Sequence, residues 1–241
     1  MENFLKTQSS RTVAISTDAM SACMEALNSK LADERQQKKN VRFFFPFGYE
    51  DYKVMLSRSA DVILARRHEK ISFVIDRFNE PFVRQLYYYL TFDNRFEGIL
   101  QKGIMLIGKY GTGKTLIMQA MAEMYRTVVS QSNLYHPMIT FIKSTALIEE
   151  LKNDSISNYS KRPLIIDEFG REPKQIMHYG NWISPLIELL NERYDNGAWT
   201  HGTSNFTYQT LKSDDMYGEM TGDRIKAMFN FIELKGESRR K

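Results

Sequence analysis

The spacing Gly108-x-x-x-x-Gly113-Lys114-Thr115 can cradle a polyphosphate. Glycines let successive backbone N–H groups curl around phosphate oxygens, and a helix starting at the end of the loop adds partial positive charge. In such a loop Gly111, Thr112 and Gly113 supply backbone, Lys114 reaches the β- and γ-phosphates, and the Thr115 hydroxyl ligates Mg2+. A second group closes the stretch "RPLIIDEFG" (162–170), where an apolar run ends on Asp167 and Glu168. Asp167 can hold Mg2+ through its water shell, and Glu168 can polarise a water aimed at the γ-phosphate. An enzyme that passes phosphate to a bound acceptor has no need for a water-activating glutamate there, so the pair argues for hydrolysis of ATP. A third stretch, "THGTSNF" (200–206), carries Asn205, whose amide could bridge the γ-phosphate and the attacking water.

These groups can meet only if the elements that carry them bring them together. Ile104 to Ile107 is a short buried-strand run, and Ile117, Met121 and Met124 recur at helical spacing after the loop. Further strand runs lie at 138–143 ("MITFIK"), 163–170, 198–205 ("AWTHGTSN") and 228–234 ("MFNFIEL"). Helical patterns fall between them at 145–154 and 184–197, with a last helical region near 206–227. Before the loop, 79–93 reads as a helix with Asn79 as its N-cap and Pro81 near its start. Strands alternating with helices predict an α/β fold, a parallel five-stranded sheet flanked by helices, with its ligand site at the C-terminal edge.

Residues 17–39 read as a helix with a stripe of Met20, Met24, Leu27 and Leu31, suited either to packing on the main domain or to an adaptable partner interface. The aromatic "VRFFFPFGYEDYK" (41–53) reads as a connector and "ILARRHEK" (63–70) as a solvated basic face. The expected division is therefore 1–68, a helical partner-binding region and connector, and 69–241, an ATPase domain.

With 241 residues, 42% of them hydrophobic, the chain can fill a real core. A net charge of +4 and a pI near 9.0 are compatible with nucleic acid without demonstrating it. Lys143, Lys152, Lys161 and Arg162 are candidates for contacts with DNA phosphates. The start resembles no signal peptide and no apolar run could span a bilayer, so no membrane partner and a cytoplasmic location are expected. A single cysteine, Cys23, excludes an intrachain disulfide, and it is expected to fill an apolar helix face.

Phosphate loop, Asp-Glu pair and polar strand end, in this order, resemble the Walker A, Walker B and sensor I elements of AAA+ ATPases. After the fifth strand only "KGESRRK" (235–241) follows, too little for the helical lid those proteins append. Lidless cores of this kind resemble the DnaC-type helicase loaders and the related IstB-like transposition helper ATPases. "YGEMTGDRIKAMF" (217–229) is similar to their arginine-finger box and "LKGESRR" (234–240) to their sensor II segment. The resemblance covers roughly residues 75–241. It implies that Arg224 is a finger reaching a neighbouring subunit's ATP, that Arg239 or Arg240 touches the γ-phosphate in its own subunit, and that the protein self-associates. It implies a loader that hydrolyses ATP with Mg2+ and delivers a ring-shaped replicative helicase to single-stranded DNA. The alternative is a helper that binds duplex DNA and recruits a transposase.

Overall fold

The computed structural model describes residues 17–41, 44–132, 136–153, 155–178 and 180–239, which divide between residues 43 and 44 into two compact units. In the first, α1 (Thr17–Val41) is the helix expected from the Met20, Met24, Leu27 and Leu31 spacing, and all four side chains are exposed. Cys23 fills no apolar face; it is exposed as well.

The second unit begins with residues that the sequence groups with the N-terminal region. The end of the expected connector is helical: residues 49–53 open α2 (Tyr49–Arg66), whose Tyr52, Leu56, Ala60, Ile63 and Leu64 are buried. It lies along α4 (Lys114–Gln131), the helix that leaves the phosphate loop. Arg66 pairs with Glu123 of α4 at 3.0 Å, and Arg67 donates to Gln119. Part of the basic face thus fastens one helix to another. Next comes α3 (Glu80–Leu90), with Phe82, Val83, Leu86, Tyr89 and Leu90 buried. Asn79 does not cap it: Asn79 Oδ1 accepts the Asp76 N–H at 2.9 Å and Nδ2 donates to the Val74 carbonyl at 3.0 Å. The side chain closes the preceding turn instead.

Five strands, β1 (Gly103–Ile107), β2 (Thr140–Lys143), β3 (Leu164–Phe169), β6 (Thr200–Ser204) and β7 (Phe229–Glu233), form a parallel sheet in the order β2-β3-β6-β1-β7. Two shorter ones, β4 (Ile176–His178) and β5 (Asn181–Ile183), make a separate antiparallel ribbon absent from the sequence expectations. Helices α5 (Ser144–Asn153), α6 (Pro185–Asp195) and α8 (Gly218–Met228) contribute Leu147, Ile148, Leu186, Leu189 and Ile225 to a buried cluster with Met105, Leu164, Ile166 and Phe169 of the strands. At roughly 1.5–3 kcal/mol for each large aliphatic side chain buried, this layer is the main reason the sheet stays closed on that face. Because strand side chains alternate, the equally buried Ile104, Leu106 and Ile165 point to the other face, where α4 packs against the sheet. A short helix, α7 (Tyr208–Lys212), precedes α8.

At the edge where β3 and β6 begin, Arg193 is fully buried. Its guanidinium donates to the Thr200 hydroxyl at 2.9 Å and to the carbonyls of Tyr159, Arg162 and Trp199, and burial pushes its pKa down to about 9. It ties α6 to the start of both strands, at the end of the sheet away from the carboxylate pair.

Candidate nucleotide site

Strand order does what chain order cannot. Because β1, β6 and β3 are neighbours, their C-terminal ends bring residues 108–115, 203–205 and 167–168 to one edge. The loop leaves β1 through Gly108, whose φ of 148° and whose position beside the Leu234 carbonyl, 2.6 Å from where a Cβ would stand, admit only glycine. Gly113 closes the loop in the left-handed region and starts α4, whose first turn carries no acidic side chain to repel an anion.

Lys114 is buried, and its Nζ donates to the Gly108 and Lys109 carbonyls, each at 2.7 Å, and to Asn205 Oδ1 at 2.8 Å. The ammonium group is thereby fixed between the loop and the end of β6. Thr115 Oγ donates to Asp167 Oδ1 at 2.9 Å, and Thr203 Oγ donates to the same oxygen at 2.6 Å. Burial raises the Asp167 pKa, and the two hydroxyls oppose that shift. The other oxygen, Asp167 Oδ2, is buried without a hydrogen-bond partner. A buried carboxylate oxygen in that state beside a threonine hydroxyl suits a hard cation that completes its shell with water and phosphate oxygens. Thr115 and Asp167 therefore fit Mg2+. Among the described residues no cluster of three or more His, Cys, Asp or Glu offers a metal cage, and magnesium bound with phosphate needs none.

Glu168 sits at a φ of 64°, where the β3–β6 register shifts between Ile166 and Phe169. For a non-glycine residue this conformation costs on the order of 1 kcal/mol or more, and bulges of this kind re-aim side chains. The backbone is pinned there: its N–H donates to Thr203 Oγ at 3.0 Å, and its carbonyl accepts from Ser144 Oγ at 2.9 Å. Glu168 lines the site cavity, while one carboxylate oxygen accepts from Arg171 at 2.7 Å.

The cavity has a volume of about 540 Å3, within the range of ligand pockets. Gly111, Thr112, Gly113, Lys114, Thr115, Glu168, Asn205 and Arg239 line it together. Arg240 lies outside the described residues. Arg224 is on α8 with its guanidinium 5.5 Å from the centre of the Tyr194 ring, and it does not line this cavity. Sequence reading missed Thr203, Arg171 and a wall of the cavity formed by Arg67, Lys70, Ile71 and Phe73. Thr203 carries no motif; only strand register places it beside Asp167.

The four candidate DNA cations do not share an edge. Lys143 ends β2 in register with Asp167, whereas Lys161 and Arg162 precede β3 at the opposite end. Lys152 pairs with Glu149 at 2.6 Å, and the Arg162 guanidinium lies 4.2 Å from the centre of the Tyr159 ring.

A five-stranded parallel sheet flanked by helices thus carries the Gly-rich loop, a buried aspartate and a polar strand end along one edge. No protein-family model and no curated protein matches the chain. Solved structures do. A crystal structure of DnaI matches with a TM-score of 0.52 and 21% identity, over 85% of this chain and 100% of that one. One of the DnaC helicase loader matches with a TM-score of 0.49 and 18% identity, over 68% and 93%. AMPPCP-bound DnaA from Aquifex aeolicus matches with a TM-score of 0.45 and 18% identity, over 68% and 49%. The DnaI match establishes a shared fold.

Proposed function

We propose that the chain is a helicase loader of the DnaC type: an ATP-hydrolysing AAA+ protein that delivers a ring-shaped replicative helicase to single-stranded DNA. The observation that carries the ATPase reading is the meeting, at one sheet edge, of Lys114 with Asn205 and of Thr115 with Asp167. The loader reading rests on the fold shared with DnaI and on the "GDRI" (222–225) and "GESRR" (236–240) segments that resemble those of loaders.

Lys114, held by two loop carbonyls and Asn205, turns toward the β- and γ-phosphates when a nucleotide enters. Thr115 and Asp167 would hold Mg2+, which when bound would supply positive charge against the departing γ-phosphoryl group. Glu168, exchanging Arg171 for a water, accepts its proton, and Asn205 orients that water. Arg224, which does not line its own cavity, serves the cavity of a neighbouring subunit. Subunits carrying Arg224→Ala and subunits carrying Lys114→Ala are each expected to be inactive alone. Their mixture regains a fraction of wild-type turnover, measured by phosphate release, because some interfaces then pair a working loop with a working finger. Co-assembly without recovery would remove Arg224 from that role.

For the single strand we assign the β4–β5 ribbon. Ile176 and Ile183 pair inward, toward the core cluster, whereas Met177 and Trp182 pair outward, 59% and 64% exposed, with Lys174 exposed nearby. An exposed indole is a platform on which any base can stack, and Lys174 eight positions earlier adds positive charge to the same segment. Trp182→Ala is expected to weaken binding of a single-stranded oligonucleotide roughly tenfold by anisotropy. Unchanged affinity would move the contact elsewhere, and a preference for duplex would favour the transposition alternative. For the helicase we assign α1, whose Met20, Met24, Leu27 and Leu31 are exposed together.

A further inference from the structure

The C-terminal segment folds back over the phosphate loop. The Arg239 N–H donates to the Gly111 carbonyl at 2.9 Å, and a Cβ on Gly111 would stand 2.2 Å from Ser238 Oγ, so glycine at 111 is what lets the segment lie there. The Arg239 side chain then passes Gly113, its Cδ 3.9 Å from where a Cβ on that residue would be. It ends on Asp76, with Nη2 2.8 Å from Oδ1, across 163 positions of sequence. The guanidinium therefore crosses the mouth of the loop that receives phosphate and is already occupied by a carboxylate.

That carboxylate is held in place from its own side. Asp76 Oδ1 accepts the Phe78 N–H at 2.9 Å and the Asn79 N–H at 3.3 Å, while the Asp76 N–H donates to Asn79 Oδ1 at 2.9 Å. The Asp76 carbonyl also accepts from Glu80 N at 2.8 Å. This interlocked turn sits between α2 and α3, in the same segment whose Ile71 and Phe73 wall the cavity. The Arg239 guanidinium, ahead of the turn's own N–H groups, holds the Asp76 carboxyl below the usual carboxylate range.

We propose that Asp76 is a positioning residue for Arg239: it holds the guanidinium over the phosphate loop, and the γ-phosphate of ATP competes with it for that cation, so that nucleotide binding is communicated to the segment joining α2 and α3. The proposal rests on the nucleotide reading above. Both side chains of the pair are about one-third exposed, so water screens it and the pair can be exchanged. A polyphosphate brings more charge than one carboxylate and offers the guanidinium bidentate oxygens. Transfer of Arg239 leaves Asp76 without its cation, and the turn it anchors loses its tie to the C-terminal segment.

The test is ATP and ADP affinity, by titration calorimetry, for the wild type, Asp76→Asn, Arg239→Ala and the double variant. Asparagine keeps the oxygen that accepts from Phe78 and Asn79 and removes only the charge. Asp76→Asn is expected to bind ATP roughly two- to fivefold more tightly than the wild type, with a smaller gain for ADP. In the Arg239→Ala background the same substitution is expected to change nothing. Hydrogen exchange at residues 74–79 should rise on ATP binding in the wild type and be raised already in Asp76→Asn. Equal or weaker ATP binding by Asp76→Asn, or a gain that persists without Arg239, would overturn the positioning role while leaving the nucleotide site intact. Absence of ATP binding by the wild type would overturn both.

Discussion

Lys114→Ala is expected to bind ATP about a hundredfold more weakly than the wild type, with no measurable hydrolysis. A lysine–phosphate contact is charge-assisted, and loss of its ammonium removes the loop's buried cation at the position where charge on the nucleotide is densest. The expected loss exceeds that of an ordinary surface lysine because the group is placed in advance. Gly108, Lys109 and Asn205 keep Nζ at the loop, so a phosphate takes over an ammonium already beside it and does not have to order a free side chain. The same substitution removes a donor from all three acceptors, of which the Lys109 carbonyl keeps the Thr112 hydroxyl at 3.0 Å, so a thermal melt must accompany the titration. Retained folding with lost binding supports the assignment. Retained binding would mean that the loop grips phosphate through its backbone alone.

Glu168→Gln is expected to bind ATP as the wild type does and to hydrolyse it at least about tenfold more slowly, since glutamine offers the water an acceptor but cannot take its proton. Folding should be little affected. The positive φ is set by backbone hydrogen bonds to Thr203 and Ser144, which the substitution does not touch. The lost ion pair with Arg171 is half-exposed on the arginine side and contributes little. Single-turnover phosphate release with a parallel binding titration separates the two quantities, and undiminished turnover would take Glu168 out of the reaction.

The parts of the fold legible in the sequence were those whose signal is local. The phosphate loop, the Asp167-Glu168 strand end and the five sheet strands are each a short apolar run with a breaker or a polar terminus, and they lie where that pattern puts them. Helix α2 was hidden by what precedes it. Pro46, Gly48 and a run of phenylalanines read as a connector, although Tyr52, Leu56, Ala60 and Ile63 already carry helical spacing. The β4–β5 ribbon was also within reach, since Ile176, Met177, Trp182 and Ile183 flank a glycine-containing turn signal, but strands of three residues lie below the length at which alternation can be read. Asn79 shows a different limit. A good N-cap residue before a helix found better partners in the turn behind it. Thr203 against Asp167, Arg171 against Glu168 and Asp76 against Arg239 depend on register, a bulge and the return of the C-terminal segment, none of which leaves a local trace.

Whether ATP chemistry at this loop serves the placement of a ring helicase can be read on a closed circle of single-stranded DNA, which a ring cannot thread unaided. The measurement is the amount of a candidate replicative helicase that remains on the circle after gel filtration, with and without this protein and ATP. Stable loading is expected only when both are present, and none when Lys114→Ala replaces the wild type. Helicase loading that is indifferent to this protein, or that proceeds equally with Lys114→Ala, would contradict the loader reading.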